Sequence, residues 1–88
     1  MSDATTPNPA PEAITMYGAD WCGDCRRAKA VLDREGVEYT YVDLVATPEA
    51  VEIAQQISGR QNIPVVVFPD GSHMVEPTNN ELLAKLKG

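Results

Sequence analysis

The sequence predicts a single α/β domain, a mixed four-stranded sheet flanked by three helices in the order β-α-β-α-β-β-α. Three observations carry this. Short β-prone runs alternate with segments of helical periodicity, a Pro-Asp-Gly-Ser turn separates two adjacent strand-like runs, and a capping signature opens a last helix. The length of 88 residues suits one domain, and a hydrophobic content of 43% fits a globular chain.

Residues 1–12 include Pro7, Pro9 and Pro11 and little that would bury, so they are expected to be a flexible tail ahead of a domain spanning 13–88. Ala13 to Tyr17 is the first strand, closed by Gly18. Gly23 to Glu35 has helical periodicity, with Cys25, Ala28, Val31 and Leu32 on one face and Gly36 as a left-handed stop. Glu38 to Asp43 is the second strand, and its helical connection to the first makes the two parallel. Thr47-Pro48 predicts an N-cap followed by proline at the first helical position. The stripe Ala50, Ile53, Ala54 and Ile57 continues this helix to Gly59. Pro64 opens the strand Val65 to Phe68, and His73 to Val75 returns beside it. Thr78 to Glu81 matches a capping box, with Asn79 as an alternative cap, for a helix carrying Leu82, Leu83 and Leu86.

Composition excludes several roles. The net charge of −6 opposes binding to nucleic acid or to an anionic membrane surface. No apolar run is long enough to span a bilayer. The N-terminus lacks the pattern of a secretory signal, which leads to an expected cytoplasmic location. A structural disulfide is disfavoured there.

The chemistry resides in Trp21-Cys22-Gly23-Asp24-Cys25, which contains both cysteines of the chain. The motif falls where the first strand hands over to the first helix. Cys22 is expected at the helix N-terminus, where unpaired backbone N–H groups and the dipole favour a thiolate. Cys25, three residues on, faces the same side of the turn. Cys22 is therefore the candidate nucleophile that attacks a disulfide, and Cys25 the resolving thiol. Arg26, Arg27 and Lys29 are expected to support a thiolate, and Asp20 and Asp24 to oppose it. An alternative is a metal or iron–sulfur module. Zinc usually wants four ligands, and two cysteines with one histidine, His73, fall short, whereas two cysteines from each of two chains would suffice for a cluster.

Tyr17 through Cys25, followed by Ile63-Pro64-Val65, resembles the glutaredoxin branch of the thioredoxin-like fold. The similarity covers about Ile14 to Leu86. With Asp70-Gly71-Ser72 and Glu76 to Glu81, the motif most resembles the mycoredoxins, actinobacterial proteins that use mycothiol in place of glutathione. The resemblance implies a monomeric dithiol-disulfide oxidoreductase with no bound cofactor and a low-molecular-weight thiol as co-substrate. Its partners would be thiol-modified or disulfide-containing proteins, with electrons from the thiol or from a thioredoxin-reductase-type enzyme. It also implies a cis Ile63-Pro64 bond beside the sulfurs, with the Ile63 backbone pairing to substrate. Ala19 stands where glutathione-dependent members carry lysine, Asp24 where tyrosine is usual between the cysteines, and Val75 to Asn80 where a Gly-Gly and acidic pair is usual.

Further candidates for substrate contact are weighed against plainer roles. Trp21 is expected half-exposed beside the sulfurs, forming an apolar rim. Tyr17 reads first as core, with its hydroxyl as a candidate contact. Arg60 reads as a solvated loop charge or a grip for a substrate carboxylate. Thr78 and Asn79 read as caps at a helix N-terminus that also suits anions. Tyr39 and Tyr41 share one sheet face and read as packing, as does His73 on its strand.

Overall fold

A computed structural model describes residues 13–87. The expected flexible tail, residues 1–12, and Gly88 lie outside the described residues. The elements are β1 (Ile14–Gly18), α1 (Gly23–Arg34), β2 (Tyr39–Asp43), α2 (Ala50–Ser58), β3 (Val65–Val67), β4 (His73–Val75) and α3 (Asn79–Lys87), in the predicted order. The strands lie side by side as β2-β1-β3-β4. β1 runs parallel to β2, with Ile14 opposite Tyr39 and Gly18 opposite Asp43. It runs antiparallel to β3, which pairs antiparallel with β4. The mixed sheet follows from the connections, since a helix returns the chain parallel and a tight turn returns it antiparallel.

Strand alternation divides the apolar residues between two faces. Ile14 and Met16 of β1 join Cys25, Ala28, Val31 and Leu32 of α1, Val66 and Phe68, and Leu82 of α3 in the larger core. Tyr39 and Tyr41 pack against the same cluster, as their shared face predicts. On the other face Ala54 of α2 meets Val65 and Val67, flanked by Tyr17, Ile57 and Val75.

Two helix boundaries follow local sequence closely. At the end of α1, Gly36 takes φ 71°. The Gly36 N–H bonds the Asp33 carbonyl and the Val37 N–H the Leu32 carbonyl, the paired pattern of a left-handed glycine stop. At the start of α3, the Glu81 N–H donates to Thr78 Oγ1 at 3.1 Å and the Thr78 N–H donates to Glu81 Oε1 at 2.8 Å, so Thr78 rather than Asn79 is the cap.

The start of α2 departs from expectation. Thr47 does not cap it through its hydroxyl; Glu49, in helical conformation, precedes Ala50 with no side-chain cap. The loop is already coiled before Thr47, because Asp43 Oδ1 accepts the Val45 and Ala46 N–H groups and the Asp43 carbonyl accepts the Thr47 N–H. Thr47 and Pro48 then offer their carbonyls to Ala50 and Val51 in a tight three-residue turn that leads into the helix. Ile53 was expected in the buried stripe but is 48% exposed. Ala50, Ala54 and Ile57 form the seam against the sheet, and Ile53 lies on its shoulder. β3 ends one residue early, at Val67, because the Phe68 N–H turns to the Ser72 carbonyl and closes the hairpin. Among the described residues no helix is long and apolar enough to cross a membrane.

Candidate functional site

The site forms where β1 ends and α1 begins. The chain turns from Ala19 to Cys22, whose N–H donates to the Ala19 carbonyl at 3.1 Å. Cys22 is extended, at φ −90° and ψ 119°, and occupies the N-cap of α1. Its carbonyl accepts the Arg26 N–H, so the helix ladder starts at the cysteine itself. Both cysteines are reduced, Cys22 half-buried and Cys25 buried. One helical turn therefore presents one sulfur to the surface and withdraws the other into the core.

Cys25 is held by its surroundings. The Ala19 N–H points at its sulfur at 3.5 Å. Burial pushes the Cys25 thiol up to about 12 despite that N–H, with Cys22 and Asp24 adding smaller upward effects. Cys25 is thus a neutral thiol at neutral pH. The close fit depends on Gly18, where a Cβ would stand 2.7 Å from Cys25 Sγ and 3.2 Å from its Cβ. The sequence reading took Gly18 only as the end of a strand. A glycine one turn ahead of a Cys-x-x-Cys motif is the signal available, and its meaning requires knowing that β1 runs directly beneath α1.

Across from Cys22 stands the loop before β3. Ile63-Pro64 is cis, and the Cys22 thiol points to the Ile63 carbonyl at 4.0 Å. Pro64 is fully buried. The Pro64 carbonyl accepts the Glu76 N–H at 2.9 Å, and Asn62 Nδ2 donates to Glu76 Oε1 at 3.1 Å. These bonds tie the Ile63-Pro64 loop to the loop that leads into α3, where Thr78 and Asn79 lie. Glu76, at φ 50°, and Asn62 were not singled out from sequence. Only a contact fourteen residues apart in the chain reveals them.

The expected cationic support for Cys22 is directed elsewhere. Arg26 Nη1 donates to the Asp20 carbonyl at 2.7 Å. Arg27 pairs with Asp24 at 3.1 Å and also donates to the Pro77 carbonyl at 3.2 Å. Lys29 Nζ sits 4.0 Å above the Tyr41 ring. The side chains of Arg26, Arg27 and Lys29 therefore organise the surface of α1, and Asp24 faces a counter-ion. The helix N-terminus remains as the electrostatic feature at Cys22.

The other candidates separate by location. Trp21 is 71% exposed, more open than the half-exposed position expected, because it projects from the turn before α1. It lines a cleft of about 270 Å³ together with Arg60 and Ile63. Tyr17 packs against Ala54, Val65 and Val67, on the sheet face away from Cys25, so the structure does not bring it to the sulfurs as the alternative reading had it. His73 is exposed on β4. Among the described residues no three His, Cys, Asp or Glu side chains gather into a metal-holding group.

A buried thiol and a surface thiol on one helical turn, set on this sheet beside a cis proline, define a thiol-disulfide oxidoreductase. The glutaredoxin family model matches residues 14–74, and the chain belongs to the glutaredoxin family. It is 35% identical over 75 residues to Mycoredoxin 1 of Corynebacterium glutamicum, covering 84% of this chain and 92% of that one. It is 36% identical over 75 residues to a Mycobacterium tuberculosis protein provisionally named glutaredoxin, covering 84% of this chain and 89% of that one. The crystal structure of a glutaredoxin from Archaeoglobus fulgidus superposes with a TM-score of 0.79 at 28% identity over 88% of each chain.

Proposed function

We propose that this oxidoreductase reduces mixed disulfides on proteins with a low-molecular-weight thiol, mycothiol by preference, as co-substrate in the cytoplasm. The observation that carries the reading is the pairing of half-buried Cys22, at the head of α1, with the Ile63 carbonyl above buried Cys25. Cys22 as thiolate attacks the mixed disulfide and expels the protein thiol or the small thiol. Where Cys22 holds the small thiol, a second small thiol loses its proton, attacks the bound small thiol's sulfur and expels the Cys22 thiolate, forming the small thiol's own disulfide. Alternatively, Cys25 loses its proton, attacks the Cys22 sulfur and releases the bound group, leaving a Cys22–Cys25 disulfide that later small thiols reduce. The Ile63 backbone aligns the substrate, Pro64 holds the wall of the groove, and Trp21, Arg60, Thr78 and Asn79 border it.

The preference for mycothiol is supported by the 35% identity to Mycoredoxin 1 and by Ala19, which stands where glutathione-dependent members carry a lysine for the thiol's carboxylate. The test offers mycothiolated, glutathionylated and bacillithiolated forms of one model protein, each with its matching thiol. The mycothiolated form should be reduced fastest. Equal rates, or a higher rate with glutathione, would remove the preference and leave the oxidoreductase.

A further inference from the structure

We propose that the cleft beside the redox pair receives an aliphatic side chain flanking the reacting cysteine of a polypeptide disulfide. This deepens the proposed function by naming a class of protein substrate, and it rests on the pairing of substrate with Ile63. Trp21 is 71% exposed, Val45 63% and Val51 37%, and all three line one concavity of about 270 Å³ with Leu44 and Ile63. Isolated apolar residues on a surface are ordinary, but several gathered around a hollow mark a place of contact. The volume of about 270 Å³ lies at the lower edge of the range of small-molecule pockets, roughly 300–1,000 Å³, and has room for one aliphatic side chain.

The lining and the position narrow the occupant. Against Leu44, Val45 and Val51 an aliphatic group sheds water without losing hydrogen bonds, whereas a polyol or charged group could pair only with Gln55, Arg60, Gln61 and Asn62. Arg60 and Asn62 form part of a polar rim, the arrangement of an apolar anchor site. The cleft is continuous with the redox site through Trp21 and Ile63, and the Ile63 carbonyl is the group that Cys22 faces. A strand paired at Ile63 would carry the side chain next to its cysteine over the cleft. Asp43 fixes the far wall in advance, since its carboxylate accepts the N–H groups of Val45 and Ala46.

The probes are symmetric disulfide dimers of a short peptide with one cysteine, carrying Leu or Ser at the position before or after it. Cys22 attacks one peptide sulfur and releases the first peptide thiolate. Cys25 attacks the Cys22 sulfur, gives its proton to solvent, and releases the second peptide; the protein dithiol loses two electrons and the peptide disulfide gains them. Single-turnover rates are followed by fluorescence of the one tryptophan, Trp21, using the full reduced chain. At one position or both, the Leu dimer should react about tenfold faster than the Ser dimer, a factor within reach of one apolar pocket. Val51→Glu and Val45→Glu should each bring the ratio near one. Equal rates in the unaltered protein at both positions, or a Leu preference that survives both variants, would overturn the proposal. So would a mycothiolated peptide slowed as much as the Leu dimer by Val51→Glu, which would assign the cleft to the small thiol, or a dimer of this chain dissociated by Val45→Glu. No small thiol enters the peptide assay, so the mycothiol preference can fail independently. Failure to reduce even 2-hydroxyethyl disulfide would count against the redox reading itself.

Discussion

Gly18 and Cys25 occupy a space with no room for another atom. A methyl at residue 18 would stand 2.7 Å from Cys25 Sγ, and Tyr41 lies 3.4 Å away on the other side. The sulfur belongs to a short side chain on a packed helix, so the conflict is relieved only by moving α1 against β1. Gly18→Ala should cost about 1–3 kcal/mol through overpacking. It should also slow closure of the Cys22–Cys25 disulfide, because the shift moves one sulfur relative to the other. Urea unfolding and the rate of intramolecular oxidation measure the two effects, and an unchanged rate would show that α1 absorbs the methyl without moving Cys25. The titration of Cys25 gives a second test at this scale. Its thiol is pushed up from 9.0 to about 12 by burial, so above pH 9 the unfolded chain loses a proton that the folded chain retains. Protonated Cys25 therefore contributes stability that is lost as pH rises from about 9 toward 12. Tyr39 is also pushed up to about 12, by burial and then by its bond to Asp33, and Tyr41 is raised further by burial and Asp20. Both add to the alkaline loss. Comparing the reduced protein with reduced Cys25→Ala isolates the cysteine: the variant's unfolding midpoint should fall less between pH 8 and pH 11. Parallel curves would mean that the buried thiol ionises without penalty.

The helices show which local signals are self-sufficient. The start of α3 was legible because Thr78 and Glu81 satisfy each other's backbone and need no partner from elsewhere. Thr78→Ala should cost about 1 kcal/mol, within the usual 0.5–2 for a lost cap, as read by urea unfolding. A change below a few tenths would show water replacing the cap fully. The start of α2 was misread at Thr47-Pro48 for the opposite reason. Asp43, four residues upstream at the end of β2, had already captured the backbone groups that set the turn, and a strand-end carboxylate gives no sign in sequence of where it will fold back. Ile53 was misplaced because periodicity marks an apolar stripe without its width, and the sheet offers α2 only the seam of Ala50, Ala54 and Ile57.

For the molecule as a whole, the order of elements and the two cysteines were readable from period, turns and spacing. The cis Ile63-Pro64 bond came through family resemblance, and its position across from Cys22 needed the structure. The redirection of Arg26, Arg27 and Lys29 was unreadable because sequence shows that a charge is near, not what it faces. The same holds for Glu76, for Asn62 and for the cleft at Trp21, each built from segments distant in the chain. The fold sets two identical groups apart, Cys22 half-buried and Cys25 buried, which is the division of labour that the proposed reaction requires. The most direct test incubates Cys22→Ser and Cys25→Ser proteins separately with a disulfide-bearing protein and looks by mass spectrometry for covalent adducts. Cys25→Ser should accumulate a mixed disulfide at Cys22, and Cys22→Ser should form none and show no exchange. An adduct held at Cys25 in the Cys22→Ser protein, with none at Cys22 in the Cys25→Ser protein, would contradict the assignment of the two sulfurs.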